Sequence, residues 1–104
     1  MLNKTEQFKK QIKENIEHKK AIQTQIKENL DKKEYNMILV ESFLKQLNDR
    51  SINSYDKKTI EKKYWYLVSK NKNIDLQVRY LNNSFNIIED QNLILKVEFM
   101  LSIL

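Results

Sequence analysis

The sequence lacks glycine, proline and cysteine altogether, and its 104 residues include one histidine and one tryptophan. Glycine supplies the positive φ angles of tight hairpin turns, so a fold with many β-hairpins is hard to build from this chain. Helices need neither glycine nor proline in their interior, and asparagine can replace glycine where a helix ends. The composition therefore predicts an all-α protein.

The missing residue types also exclude several kinds of site. Without cysteine there is no disulfide, no thiol nucleophile and no cysteine-ligated zinc, and without glycine there is no glycine-rich phosphate loop. The one histidine, His18, lies among charged residues. Glu14 lies one helical turn before it, but these two side chains alone provide too few ligands for a metal site. We expect no enzymatic activity, no metal or other cofactor, and no small-molecule substrate.

The chain carries no sign of membrane insertion or export. Its most apolar stretch, residues 93–104, includes Lys96 and Glu98 and is shorter than the roughly 20 residues that a membrane-spanning helix needs. The N-terminal residues lack the apolar centre of a signal peptide. We expect a soluble, intracellular protein, in the cytoplasm, that does not contact membranes.

A short repeat organises the first half of the sequence. Residues 11–16, QIKENI, return fourteen residues later as QIKENL, which is a spacing of two heptads. Alternating steps of four and three residues from Ile12 reach Leu47, and eight of these eleven positions are apolar. The pattern predicts a long amphipathic, coiled-coil helix over about 2–48 that lies lengthwise against another helix.

The second half of the sequence alternates between small polar residues and apolar helical patterns. Residues 48–56 predict a loop in which Ser54 or Asp56 caps the next helix. That helix is predicted to be short, over about 56–70, and to end in a second loop at Asn71-Lys72-Asn73.

A second long helix is predicted over about 74–101. Residues 74–80 alternate as a strand would, but steps of four and three from Ile74 to Phe99 reach eight positions, seven of them apolar. The exception is Asn92, whose buried amide could specify helix register, or which could stand there by chance in an asparagine-rich chain.

These elements predict one helical domain over residues 1–104. The two long helices and the short connecting helix would form an antiparallel hairpin or a helical bundle, and residues 1–34 could instead protrude as a coiled-coil arm. Whether the heptad seams close within one chain or between chains is left open by the pattern.

The C-terminal turns indicate a protein partner. Residues 93–104 are apolar on nearly every side, and a helix of that kind is normally buried. We expect a homo-oligomer or an obligate protein partner, and the leading hypothesis is a non-enzymatic helical protein–protein interaction module that serves as an adaptor, an assembly subunit or a small regulator. The residues predicted to carry association are Ile12, Ile16, Ile26, Leu30, Val40, Leu44, Phe85, Ile88, Asn92 and Phe99.

An alternative function is that of a small basic regulator that binds nucleic acid through the lysine- and tryptophan-containing helix over 57–72. The net charge is +5, and residues 55–79 alone contribute +4. Lysines neutralise phosphates and exposed aromatic rings stack on unpaired bases, although a lone tryptophan is also commonly found at the edge of a core under lysine stems. The residues of this alternative are Lys57, Lys58, Lys62, Lys63, Trp65 and Lys70.

Overall fold

A computed structural model describes residues 3–104 and contains two long helices in that range, α1 (Lys4–Leu47) and α2 (Ser54–Ile103). These residues form no strand. The all-α prediction with two long helices is therefore confirmed. The predicted start of the first helix at Leu2 lies outside the described residues.

The predicted short connecting helix over 56–70 is wrong, because α2 runs without interruption through the predicted second loop. Asn71 stands in the middle of that loop prediction, yet its side chain is buried and accepts a hydrogen bond from Asn36 of α1 at 3.1 Å. An asparagine that is paired across helices does not compete for its own backbone in the way that makes asparagine a helix breaker. Residues 56–70 are consequently the first part of α2.

Asparagine caps both helices at their N-termini. The Oδ1 atom of Asn3 accepts the Glu6 backbone N–H at 2.8 Å. In α2 the Asn53 Oδ1 accepts the Asp56 N–H at 2.8 Å, and the Asn53 amide donates to the Asp56 carboxylate at 3.0 Å. The cap is thus Asn53 and not Ser54 or Asp56 as predicted, because only a residue three positions before the bonded N–H closes this reciprocal box.

The loop between the helices needs no glycine. Among the described residues none has a positive φ angle, so the turn is built from conformations that any residue adopts. The Asp49 carboxylate accepts the Ser51 backbone N–H at 2.9 Å and the Ser51 hydroxyl at 2.7 Å. These hydrogen bonds lower the pKa of Asp49, the backbone bond most, because both donors stabilise the ionised carboxylate.

The chain divides into two compact units. The terminal unit contains the described residues up to Ile26 together with Arg79–Leu104. In it Phe8 lies against Phe99, with ring centroids 5.5 Å apart, and Asn15 donates a hydrogen bond to Asn92 at 2.8 Å. From the first contact to the second, the residue number increases on α1 and decreases on α2, so the two segments are antiparallel.

The loop unit is Lys27–Val78, and it is an antiparallel helical hairpin closed by the loop. The Lys33 ammonium lies 2.6 Å from Asp75. The hydrogen bond from Asn36 to Asn71 lies one turn later in α1 and one turn earlier in α2. Val40 and Leu67 are its buried apolar residues.

All the buried side chains among the described residues, and most of the half-buried ones, follow heptad spacing, and we call the residues at these positions the inner seam. On α1 the first step from Ile12 is three residues and not the predicted four, so Ile16, Leu30 and Leu44 fall outside the inner seam, 42, 47 and 40% exposed. The prediction of a single domain over 1–104, and of an arm over 1–34, stays a prediction. The inner seam comprises residues 8, 12, 15, 19, 22, 26, 81, 85, 88, 92, 95 and 99 in the terminal unit, and 29, 33, 36, 40, 43, 47, 60, 64, 67, 71, 74 and 78 in the loop unit.

Candidate interaction surfaces

Most residues predicted to carry association lie in the inner seam of one chain. Ile88 is buried in a cluster with Ile22 and Leu81, against which Ile26 and Phe85 pack. These side chains are therefore occupied by contacts within the terminal unit. The predicted association residues with inner-seam positions, each in its own unit, are Ile12, Ile26, Val40, Phe85, Ile88, Asn92 and Phe99.

Two asparagine pairs interrupt the apolar part of the inner seam. In the terminal unit Asn15 donates to Asn92, and Gln11 donates to the Asn15 Oδ1 at 3.0 Å, so Asn15 is bonded on both sides of its amide. In the loop unit Asn36 donates to the Asn71 Oδ1, while the buried Asn71 Nδ2 has no hydrogen-bond partner among the described residues. A buried donor without a partner costs about 1–3 kcal/mol, so the two pairs differ in stability.

Two lysines also occupy inner-seam positions, and each forms an ion pair with a carboxylate of α2. Lys19 lies 3.3 Å from Glu89 and 4.9 Å from the centre of the Phe85 ring. Lys33 reaches Asp75 in the same way within the loop unit. Both side chains keep part of their exposure to water, which is how a lysine is accommodated at the edge of a core.

An exposed apolar surface follows the opposite side of α2 in the terminal unit. At about 100° per residue, Val97 lies 140–160° around the helix from the seam residues Asn92 and Leu95. Between Tyr80 and Leu104, the side chains reached from Val97 by successive steps of three and four residues are large, apolar and exposed, except for Asn83 and Asp90. We call this set the outer stripe: Tyr80, Ile87, Ile94, Val97, Leu101 and Leu104, which are 69, 57, 56, 47, 65 and 98% exposed.

The last turns of this surface were recognisable from the sequence, whereas its beginning was not. Residues 93–104 stood out because apolar side chains occupy consecutive positions there. Tyr80 and Ile87 each stand directly before an inner-seam residue, and only their seven-residue spacing to Ile94 and Leu101 relates them to the outer stripe. That spacing is the signal by which they could have been found.

The predicted lysine and tryptophan cluster forms an exposed surface in the loop unit. Trp65 and Tyr66 are 61 and 59% exposed, and they line a shallow hollow with Lys58 and Lys62. Glu61 lies in the same hollow and offsets part of its positive charge. The aromatic faces and ammonium groups are thus accessible together, as a surface that binds single-stranded nucleic acid requires.

The remaining lysines of that prediction are placed differently. Lys63 lines another hollow, beside Asp49 and Asp56 at the interhelical loop. The Lys70 ammonium lies 4.8 Å from the centre of the Tyr66 ring, a cation–π contact. Lys57 is exposed and borders neither hollow.

Residues 3–104 contain no group of three or more histidine, aspartate or glutamate side chains arranged to hold a metal ion. Over the same residues, neither helix has a stretch apolar and long enough to cross a bilayer. The chain matches no family model, no curated protein and no solved structure.

Proposed function

We propose that this protein is a non-enzymatic helical protein–protein interaction module that binds a helix of its partner along the outer stripe of α2. The observation that carries the proposal is the exposure of Ile94, Val97 and Leu101. The inner seam buries only the opposite face of the same helix, so these side chains are left uncovered. Soluble proteins rarely expose a large contiguous apolar surface without a partner for it.

The large apolar side chains of the outer stripe would stabilise a complex in which a partner covers them. A large apolar side chain contributes about 1.5–3 kcal/mol when it is taken fully out of water, so six partly exposed ones offer several times that amount to a partner. The spacing of three, four and seven residues is that of a helix-binding seam. An amphipathic helix is therefore the partner element that this surface fits best.

We expect Ile94→Glu to abolish binding of the protein partner, because it places a charge at the centre of the outer stripe. The measurement is affinity purification of the tagged chain from the cells that naturally produce it, expressed together with an untagged copy. Proteins retained by the wild type, including the untagged chain, should be lost from the variant.

Gln77→Glu is the matched control, since it adds the same charge at an exposed position of α2 away from the outer stripe. The control should retain whatever the wild type retains. Equal loss from both variants, or equal retention by both, would contradict the outer stripe as the binding surface.

A second candidate function is binding of single-stranded nucleic acid at the hollow of Trp65 and Tyr66. The observation that favours it is the joint exposure of both rings beside Lys58 and Lys62. Bases would stack on the rings while the ammonium groups neutralise phosphates.

If the hollow binds nucleic acid, Lys58→Glu with Lys62→Glu should weaken binding far more than Lys57→Glu with Lys63→Glu, which changes the charge equally outside it. Fluorescence anisotropy with a labelled single-stranded oligonucleotide measures the dissociation constants. Trp65→Ala should cost about 1–3 kcal/mol through lost stacking. Equal effects of the two double variants would show that any binding is unspecific attraction to a basic chain.

A further inference from the structure

We infer that the occupant of the outer stripe is a second copy of this chain. The two α2 helices would pack antiparallel through their outer stripes, about a two-fold axis that crosses them at the level of Asn92 along the helix. This inference rests on the proposed function and names its partner. It follows from the area of the outer stripe, the position of its one charge and the spacing of its apolar residues.

The area suits a dimer. With its neighbours Leu93 and Met100, which are 62 and 61% exposed, the outer stripe presents eight large apolar side chains. At roughly 100 Å² of exposed apolar area each, they offer on the order of 800 Å² per copy. That is about what one partner contributes to an interface of standard size.

The single charge on this face determines the orientation. Asp90 is the one charged residue at the three- and four-residue steps of the outer stripe between Tyr80 and Leu104. In a parallel pair each stripe residue faces its own counterpart, so the two Asp90 carboxylates would meet in the interface and repel each other. In an antiparallel pair centred near Asn92, Asp90 faces Ile94 of the second copy instead.

The same centre brings the apolar residues together. Ile87 faces Val97 of the second copy, and Tyr80 faces Leu104, so the outer stripe is covered along its whole length. Leu93 lies one residue from the axis and meets its own counterpart. A closed two-fold contact of this kind uses one patch twice, so the outer stripe itself is not left open to a third chain.

Sedimentation equilibrium over a broad range of protein concentration tests the inference first. The wild type should show a reversible monomer–dimer equilibrium, Ile94→Glu should weaken it about 100-fold or more, and Gln77→Glu should leave it within about threefold of the wild type. Circular dichroism reports whether each variant is still helical. A wild type that is monomeric at every concentration overturns the inference.

Single cysteines test the orientation, because the chain has no native cysteine. Oxidised Leu93→Cys should form a disulfide-linked dimer. Ile87→Cys should not, because its two copies would lie about 15 Å apart along the helices, at 1.5 Å per residue over ten residues. Mixed with Val97→Cys, however, Ile87→Cys should form a disulfide-linked dimer. Cross-linking of Ile87→Cys to itself would establish a parallel pair and overturn the antiparallel arrangement.

Failure of the inference and failure of the proposed function are distinguishable. A monomeric wild type whose bound cellular protein is lost in Ile94→Glu and kept in Gln77→Glu rejects the second copy and retains the interaction module. A monomeric wild type that binds no protein dependent on Ile94 rejects both.

Discussion

Replacement of Ile88 by alanine is expected to lower the free energy of unfolding by about 2–5 kcal/mol, the range for removing a buried isoleucine side chain. Ile88 is 6% exposed and packs in a cluster with Ile22 and Leu81. The truncation leaves a cavity between two helices that have few other buried residues to share the loss. Urea unfolding followed by circular dichroism measures the change.

The neighbouring residue provides the control. Ile87 is the same residue type in the same helix, but it is 57% exposed. Measured at a concentration where the chain is monomeric, Ile87→Ala should change the free energy of unfolding by no more than about 0.5 kcal/mol. If the two variants were equally unstable, the assignment of the inner seam on α2 would be incorrect.

The second large effect is expected from the asparagine pair of the loop unit. Asn36→Leu with Asn71→Leu should raise the free energy of unfolding by about 1–3 kcal/mol, because it removes a buried amide donor that has no partner among the described residues. The same unfolding experiment measures it. A double variant less stable than the wild type would contradict this account of the pair.

Single and matched variants separate the causes. Asn36→Leu alone should destabilise the chain, since the Asn71 side chain then loses its hydrogen bond to Asn36 and stays buried. Asn15→Leu with Asn92→Leu should gain less than the pair in the loop unit, because Gln11 extends that hydrogen-bonded group and its loss offsets the added apolar burial.

These asparagine pairs also show why the sequence predicted the seam of α2 correctly and that of α1 only in part. On α2 the predicted steps from Ile74 to Phe99 all fall on inner-seam residues. On α1 two heptad patterns are possible, which share about half of their positions and differ by one residue at the others. The predicted pattern, with Ile16, Leu30, Met37 and Leu44, is more apolar than the observed one. The observed pattern has Asn15, Ile22, Asn29, Asn36 and Phe43 at the positions that differ.

The observed pattern includes two asparagines whose amides bond to Asn92 and Asn71 on the other helix. A count of apolar residues along one helix cannot detect this compensation, because it depends on which residue faces which. Likewise, Asn71 reads as a helix breaker in isolation and acts as a seam residue only when Asn36 is opposite.

The sequence by itself determined that the protein is helical, since a chain without glycine and proline has no easy alternative, and it located the interhelical loop and the apolar C-terminal turns. Tertiary structure alone decided which face of α1 is inside and that α2 is continuous through Asn71. The physical reason is that composition and period are properties of one helix. The burial of an amide or an isoleucine depends on the side chain that another helix places against it.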